Sequence, residues 1–172
     1  MNQENTCVFP LAYLLTIRCY GTWLHGDEKG SVGRREFNAY GTPRMPQNDK
    51  LKNLMVQNMK EAAVCLDQQQ RQTVLAAVNE VCDFRGYEIL AINIRTNHLH
   101  AVISAQIKPE KIGNDFKSYS TRLLRKTNLI DKNKTIWARG QSNLYLWKEK
   151  QVKIAVDYVL FGQGDAIPDF NR

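Results

Sequence analysis

The sequence predicts an α+β fold of the ferredoxin-like type: one antiparallel sheet with helices on one face, plus a C-terminal helix. Length and composition support this prediction, because 172 residues with 43% apolar and 24% charged residues suit one globular domain spanning residues 1–172. The order of predicted elements also supports it. A β-α-β-β-α-β pattern followed by a helix is typical of this architecture.

The first half of the chain predicts a strand, a long loop and two helices. The strand is rich in aliphatic and aromatic residues and stops at Gly21. Glycines, prolines and charges without a sustained period indicate the loop, and a loop of this length is usually functional or flexible. Apolar residues at three- and four-residue spacing indicate the second helix, which Gly86 ends. The predicted segments are residues 11–20, about 21–50, 51–66 and 68–85.

The second half predicts a hairpin, a helix, a short strand and a last helix. Alternating apolar and polar residues on both sides of Thr96-Asn97 indicate the hairpin, and Pro109 begins the next helix. We expect the sheet face without helices to be open to ligands. The predicted segments are residues 87–95, 98–105, about 109–127, 142–147 and about 149–162.

Composition narrows the class of protein. The net charge is +7 and the pI about 9.3, a balance often found in proteins that bind nucleic acid. The longest apolar stretch, Leu11 to Ile17, is too short to span a bilayer, and the N-terminus MNQENTC lacks the pattern of a secretory signal. The cysteines have no zinc-finger spacing. We therefore expect a cytoplasmic protein without membrane contact. Its four thiols are expected to be reduced: Cys7, Cys19, Cys65 and Cys82.

Two histidines share one face of a predicted strand. Side chains alternate along a strand, so His98 and His100 point to the same face, with Cα atoms roughly 6.5–7 Å apart. Leu99 points to the other face, where it is expected to enter the core beneath the helices. Val102 is expected on the helix-covered face with Leu99. Such a pair either binds one divalent ion or is incidental on a half-exposed strand.

Tyr158 stands apart from the apolar stripe of the last helix. The stripe is expected to face the sheet, and helical rotation places Tyr158 on the flank with Ile154 and Phe161. Two interpretations remain open: a nucleophile displayed at the open face, or a tyrosine at the surface or at a dimer interface. The stripe consists of Val152, Val156, Val159 and Leu160.

Three segments carry a family resemblance. NHLHAVIS, KSYSTRLLRK and LYLWKEKQVKIAVDYVLFGQG resemble the single-tyrosine HUH transposases, which include those of the smallest bacterial insertion sequences and the REP-associated tyrosine transposases. The order of elements matches from about Ala12 to Gly164. His98, Leu99 and His100 fill the His-hydrophobic-His pattern. Tyr158 occupies the place of the nucleophile, while Tyr145 lies where the family has a non-catalytic aromatic residue.

The resemblance implies cleavage and rejoining of single-stranded DNA near hairpins through a 5′-phosphotyrosine, with Mg²⁺ or Mn²⁺ as cofactor. It implies a homodimer or, as in the REP-associated branch, a monomer. The family often places Gln or Asn one turn after the tyrosine, but Gly162 is found there. Gln163 is the expected third metal ligand beside His98 and His100 if Gly162 turns the chain back in left-handed geometry; otherwise Gln163 is a helix cap.

The basic residues are concentrated in one segment. Residues 108–139 hold nine basic and three acidic residues, a local excess of six. We expect this segment to track DNA phosphates beside the active site, although a solvated helix face is the alternative. Arg34, Arg35 and Arg44 could add contacts, and Tyr119, Trp137 and Trp147 are expected stacking partners for bases. The predicted DNA-binding residues are Lys117, Arg122, Arg125, Lys126 and Arg139.

Two other functions compete with a transposase. One is a hairpin-binding protein that has kept the fold and lost the chemistry. The other is a ferredoxin-like RNA-binding domain, which would carry aromatic residues on its central strands, where INIRT and HLHAV offer aliphatic residues and histidines.

Overall fold

Four strands and four helices form the part of the chain that the computed structural model describes, residues 9–27 and 46–162. None of the helices in these ranges is long and apolar enough to cross a membrane. Arg34, Arg35, Arg44, Cys7 and Gln163 lie outside the described residues. The elements are β1 (Ala12–Arg18), α1 (Asp49–Gln57), α2 (Gln68–Arg85), β2 (Glu88–Ile94), β3 (His98–Ser104), α3 (Pro109–Lys126), β4 (Ser142–Leu146) and α4 (Glu149–Phe161).

The sheet has the strand order β2-β3-β1-β4, and each neighbouring pair is antiparallel. This order confirms the ferredoxin-like prediction, with β1 and β3 at the centre. Gly86 ends α2 as predicted, in the left-handed conformation (φ 70°) that glycine adopts without steric cost. The predicted hairpin is also present, because β2 and β3 are joined through Thr96 and Asn97.

Alternation along β1 and β3 divides the interior into two layers. Odd-numbered side chains pack with α2 and α3 into the larger core, where Phe116 and Val78 are buried with the strand residues. Even-numbered side chains form a smaller cluster with α4. The strand residues of the larger core are Tyr13, Leu15, Ile17, Leu99, Ala101 and Ile103.

The predicted helix 51–66 is wrong in its second half. The helix ends at Gln57, and the chain then passes beside the sheet, where the Val64 N–H donates to the Tyr20 carbonyl oxygen at 2.9 Å and the Leu66 N–H to that of Thr96 at 2.6 Å. Val64 and Leu66 are buried and Cys65 between them is exposed. This alternation is that of an extended segment rather than a helix.

The expectation of an open sheet face is also wrong. α2 and α3 cover one face, while α4 packs on the other through Ala155, Tyr158 and Val159. Val102 lies beneath α4 and not on the α2/α3 side, since it shares the even-numbered face with His100. The histidines therefore lie at the edge of a covered layer.

Candidate active site

Three neighbouring strands place nine side chains in three rows on the face that carries α4. The pairing of β1, β3 and β2 sets the rows, because directly opposed residues point to the same side of a sheet. The inner row is apolar and buried, the middle row is polar, and the outer row is basic. The rows are Leu14, Val102 and Ala91; Thr16, His100 and Asn93; and Arg18, His98 and Arg95.

The two histidines face each other at the predicted position. Their ring centroids are 4.7 Å apart with an interplanar angle of 74°. Asn97 Oδ1 lies 2.6 Å from His98 Nδ1. Since an amide oxygen can only accept, Nδ1–H of His98 donates to it, so in the neutral ring the lone pair is on Nε2.

His100 is buried and is positioned by Thr16. His100 Nδ1 and Thr16 Oγ1 are 2.9 Å apart, and when Nδ1 carries the proton it donates to the hydroxyl, leaving the Nε2 lone pair for a ligand. Burial lowers the pKa of His100 to about 3, and the charges of His98, Arg18 and Arg95 act in the same direction. His100 is therefore neutral near pH 7, the state in which imidazole binds a metal.

Tyr158 lies against this pair. Its ring centroid is 5.5 Å from that of His100 in an edge-to-face arrangement, and only 8% of the residue is exposed. The prediction that Tyr158 lies off the sheet-facing stripe is wrong. α4 is rotated so that Ala155, Tyr158 and Val159 face the sheet, while Leu160 and Phe161 point outward.

Tyr145, the competing tyrosine, lies on the other side of the sheet. It is the register partner of Tyr13 on the edge strand β4, and the two rings make an edge-to-face contact at 5.1 Å. Because Tyr13 belongs to the α2/α3 core, Tyr145 and the histidines are on opposite faces.

The C-terminal end of α4 is attached to the sheet beside the histidines. Asn93 Nδ2 donates to the Val159 carbonyl oxygen at 3.1 Å, one of the last carbonyls of the helix, which have no partner within it. Gly162 ends the helix as predicted, but with φ −91°, so the expected left-handed turn is absent. A Cβ at position 162 would lie 3.1 Å from Tyr158 Cδ2, so a side chain there would require the tyrosine ring to shift by a small distance.

The predicted DNA-binding residues lie mainly on the opposite face. α3 packs against the odd-numbered side of the sheet, so the expectation that the basic helix borders the histidine face is wrong. Lys117, Arg122 and Arg125 line a groove of about 470 Å³ on the outer side of α3, and Lys126 is exposed at its end. The backbone just before Arg139 runs beside β1, because the Ala138 N–H donates to the Arg18 carbonyl oxygen at 2.9 Å.

Several of these side chains already have partners in the chain. Lys117 Nζ donates to the carbonyl oxygens of Ala138 and Gly140, at 3.1 and 2.9 Å, and burial lowers its pKa. Arg122 pairs with Glu80 at 3.3 Å and lies over the Tyr119 ring. Of the predicted stacking residues, Trp137 is buried, whereas Trp147 is 50% exposed.

Sequence reasoning missed four neighbours of the histidines: Arg18, Thr16, Asn93 and Arg95. They become visible only through the pairing of β1 and β2 with β3. The signal available in the sequence was weak. It consisted of polar or basic residues at the ends of strands that are otherwise apolar.

Comparison with known proteins decides the family. The family model for IS200-like transposases matches residues 49–159. The chain belongs to the IS200-like transposase family. This is a family of DNA-cleaving enzymes that carry out DNA transposition. The match covers the hairpin with both histidines, α3 and most of α4 up to the residue after Tyr158.

One solved structure supports the fold of this transposase. The chain is similar to a REP-associated tyrosine transposase bound to a REP hairpin, with 14% identity, a TM-score of 0.52, and coverage of 94% of this chain and 72% of that one. It is also similar to a Deinococcus radiodurans protein named as a candidate transposase, with 12% identity, a TM-score of 0.48, and coverage of 96% and 100%. No curated protein matches the chain.

The donor set of this transposase fits a divalent metal in part. Both histidines have hydrogen bonds at Nδ1 that direct Nε2 to a ligand. Among residues 9–27 and 46–162, no group of three or more His, Cys, Asp or Glu side chains lies close enough together to hold an ion. Within the described residues the two imidazoles are thus the available nitrogen ligands, and an ion held there would complete its coordination with oxygen donors such as an amide, water or phosphate.

Proposed function

We propose that this transposase cleaves and rejoins single-stranded DNA next to hairpins, with Tyr158 as the nucleophile. One observation carries the proposal: the Tyr158 ring packs 5.5 Å from His100, which itself faces His98. Three residues from a strand and a distant helix are thus gathered at one place. Tyrosine and paired imidazoles are the groups that a phosphotyrosine mechanism with a metal ion needs.

The chemistry is a transesterification at phosphorus. The Tyr158 hydroxyl oxygen attacks the scissile phosphate, loses its proton to solvent, and forms an O–P bond. The bond between phosphorus and the 3′ oxygen breaks, and that oxygen takes up a proton. The products are a 5′-phosphotyrosine and a free 3′-hydroxyl. Because one ester replaces another, a 3′-hydroxyl from a different end can reverse the step and join the strands without a nucleotide cofactor.

His98 and His100 would hold Mg²⁺ or Mn²⁺, with Gln163 proposed as the third ligand. Imidazole nitrogens favour manganese over magnesium. The bound ion would supply positive charge that polarises the scissile phosphate. The Asn97 amide oxygen accepts from His98 Nδ1, and the Thr16 hydroxyl can accept from His100 Nδ1 when Nε2 binds the ion, while burial keeps His100 uncharged.

DNA binding is proposed to involve both faces of the sheet. The groove on α3 provides Lys117, Arg122 and Arg125, a sequence-independent surface for phosphates, with Lys126 at its end. Arg139 is proposed to connect this groove with the histidine face, since the preceding Ala138 accepts from Lys117 Nζ and donates to the Arg18 carbonyl oxygen. The REP hairpin bound by a relative of the same fold supports a hairpin as the DNA element.

Residues 1–172 are proposed to act as one HUH domain that assembles as a homodimer, with a monomer as the alternative. Within a single chain, Tyr158 already packs on its own His100. This contact supports cleavage in which the tyrosine and histidines come from the same chain.

Covalent trapping tests the function. A labelled single strand carrying a hairpin, taken from the DNA that flanks the gene, is incubated with the protein and Mn²⁺ and resolved under denaturing conditions. We expect a covalent adduct that EDTA prevents and that Tyr158→Phe and His100→Ala abolish. Tyr145→Phe is the matched control and should keep the adduct. An adduct that persists in Tyr158→Phe would contradict the proposal.

A hairpin-binding protein without cleavage is the second candidate. The low exposure of Tyr158, 8%, favours it, because the hydroxyl must reach a phosphate. Tight binding of the hairpin strand with no adduct at any metal concentration would establish this function instead.

A further inference from the structure

Two arginines flank His98 in the outer row of the site. Arg18 is the register partner of His98 on β1, and the Arg95 N–H donates to the His98 carbonyl oxygen at 2.8 Å across the hairpin. Alternation along the strands places both side chains on the face that carries the histidines. A cation therefore stands on each side of His98.

Trp23 orients the Arg18 side chain. The guanidinium carbon lies 3.6 Å from the centroid of the Trp23 ring, a stacked cation–π contact. A guanidinium held by its face donates hydrogen bonds along its edge, and its planar fork matches the oxygens of a phosphate. Stacking on Trp23 thus reduces the conformational freedom that Arg18 would lose on binding an anion.

The positive charges in this row favour an anion as ligand. The nine side chains of the three rows include no carboxylate, and both Arg18 and Arg95 act electrostatically on His100. Two guanidinium groups beside a pair of imidazoles repel a divalent cation. A bound phosphodiester removes this conflict, because it offers negative oxygens to the arginines and the metal together.

We propose that Arg18 and Arg95 form a phosphate clamp that holds the backbone of single-stranded DNA across His98, with Trp23 as a positioning residue. The clamp deepens the proposed function and rests on it. It assigns the protein groups that bring the strand to the histidines, on the face opposite the α3 groove.

Salt-dependent binding tests the clamp without requiring cleavage. The full-length protein is titrated into a fluorescent oligo(dT) strand at 50 and 200 mM salt, and Mn²⁺ binding is measured separately by calorimetry. Each lost phosphate contact on a single strand lowers the salt slope by about 0.7, so the ratio of affinities at the two salt concentrations should fall about two- to threefold. We expect this for Arg18→Gln and for the exposed Arg95→Gln, with Mn²⁺ affinity unchanged or increased in both.

Three further variants separate the clamp from general effects. Arg71→Gln removes one arginine from α2, on the opposite face, and should keep the wild-type slope. Arg18→Lys should keep the wild-type salt slope that Arg18→Gln loses, because lysine retains the positive charge. Trp23→Leu should weaken binding only while Arg18 is present, which a double-mutant cycle measures.

The outcomes are separable. An unchanged slope in both Arg18→Gln and Arg95→Gln would overturn the clamp, even if the Tyr158 adduct forms. Loss of Mn²⁺ binding together with DNA binding would also overturn it, because it would mean that the arginines support the fold of the site. A missing adduct with the expected slopes would refute cleavage and leave the clamp in place.

Discussion

Replacing Thr16 by Val tests whether the buried hydroxyl prepares His100 for a metal. The substitution keeps the shape of the side chain but removes the oxygen that lies 2.9 Å from His100 Nδ1. Both residues are buried, so the imidazole nitrogen loses its partner without access to water. The free energy of unfolding should fall by about 1–3 kcal/mol, the usual cost of an unpaired buried polar group.

Thr16→Val should also weaken Mn²⁺ binding to the protein that remains folded. Without the hydroxyl, the ring loses the group that can accept its Nδ1 proton when Nε2 binds an ion, and loss of such a supporting hydrogen bond typically costs about 10- to 100-fold in metal affinity. The assay pairs urea denaturation with calorimetric titration of Mn²⁺. Thr16→Ser keeps the oxygen and should retain Mn²⁺ affinity. Unchanged Mn²⁺ affinity in Thr16→Val would show that the Thr16 hydroxyl does not prepare His100 for a metal.

Four other predictions follow from the structure. Asn93→Ala removes the donor to the Val159 carbonyl oxygen and should lower the free energy of unfolding by about 1 kcal/mol in urea denaturation. Phe116→Ala should cost about 3–5 kcal/mol, whereas the control Phe84→Ala, at a residue 70% exposed, should cost under about 0.5 kcal/mol. Burial raises the pKa of Tyr87 to about 12, with a further contribution from its hydrogen bond to Asp115, so this stabilisation is complete below pH 10 and lost as pH rises toward 12. Buried Cys19 and Cys82 titrate in the same range, so denaturation across this window should show a larger loss in wild type than in Tyr87→Phe. In a mixture of Tyr158→Phe and His100→Ala chains, an adduct can form only if the tyrosine of one chain acts at the histidines of another. We expect no adduct, because Tyr158 contacts His100 of its own chain.

The sequence predicted the sheet and the histidine pair because both depend on short-range patterns. Alternation marked β2 and β3, and His98 and His100 share a face in any strand, whatever its neighbours. The helix predicted after the loop was too long, because Val64 and Leu66 form backbone hydrogen bonds with Tyr20 and Thr96 instead of continuing the helix. Local periodicity does not encode these long-range contacts.

The rest of the site depends on which elements meet. The orientation of α4 is set by packing on Ala91, Leu14 and Val102, and by the Asn93 hydrogen bond, so a helical wheel placed Tyr158 on the wrong side. The basic residues of α3 were assigned to the histidine face because local charge carries no information about the layer in which a helix packs. Arg18 and Arg95 were missed because only strand register brings them beside His98.

Peptide mapping of the covalent adduct tests whether Tyr158 is the residue that becomes linked to DNA. Trypsin cleaves after Lys148 and Lys153, so Tyr145 and Tyr158 fall in different peptides. After reaction with the hairpin strand and Mn²⁺, nuclease digestion leaves a nucleotide on the reacting residue, which mass spectrometry identifies. We predict the modification on Tyr158, in the peptide that begins at Ile154. A nucleotide found on Tyr145 or on another residue would contradict the assignment of Tyr158 as the nucleophile.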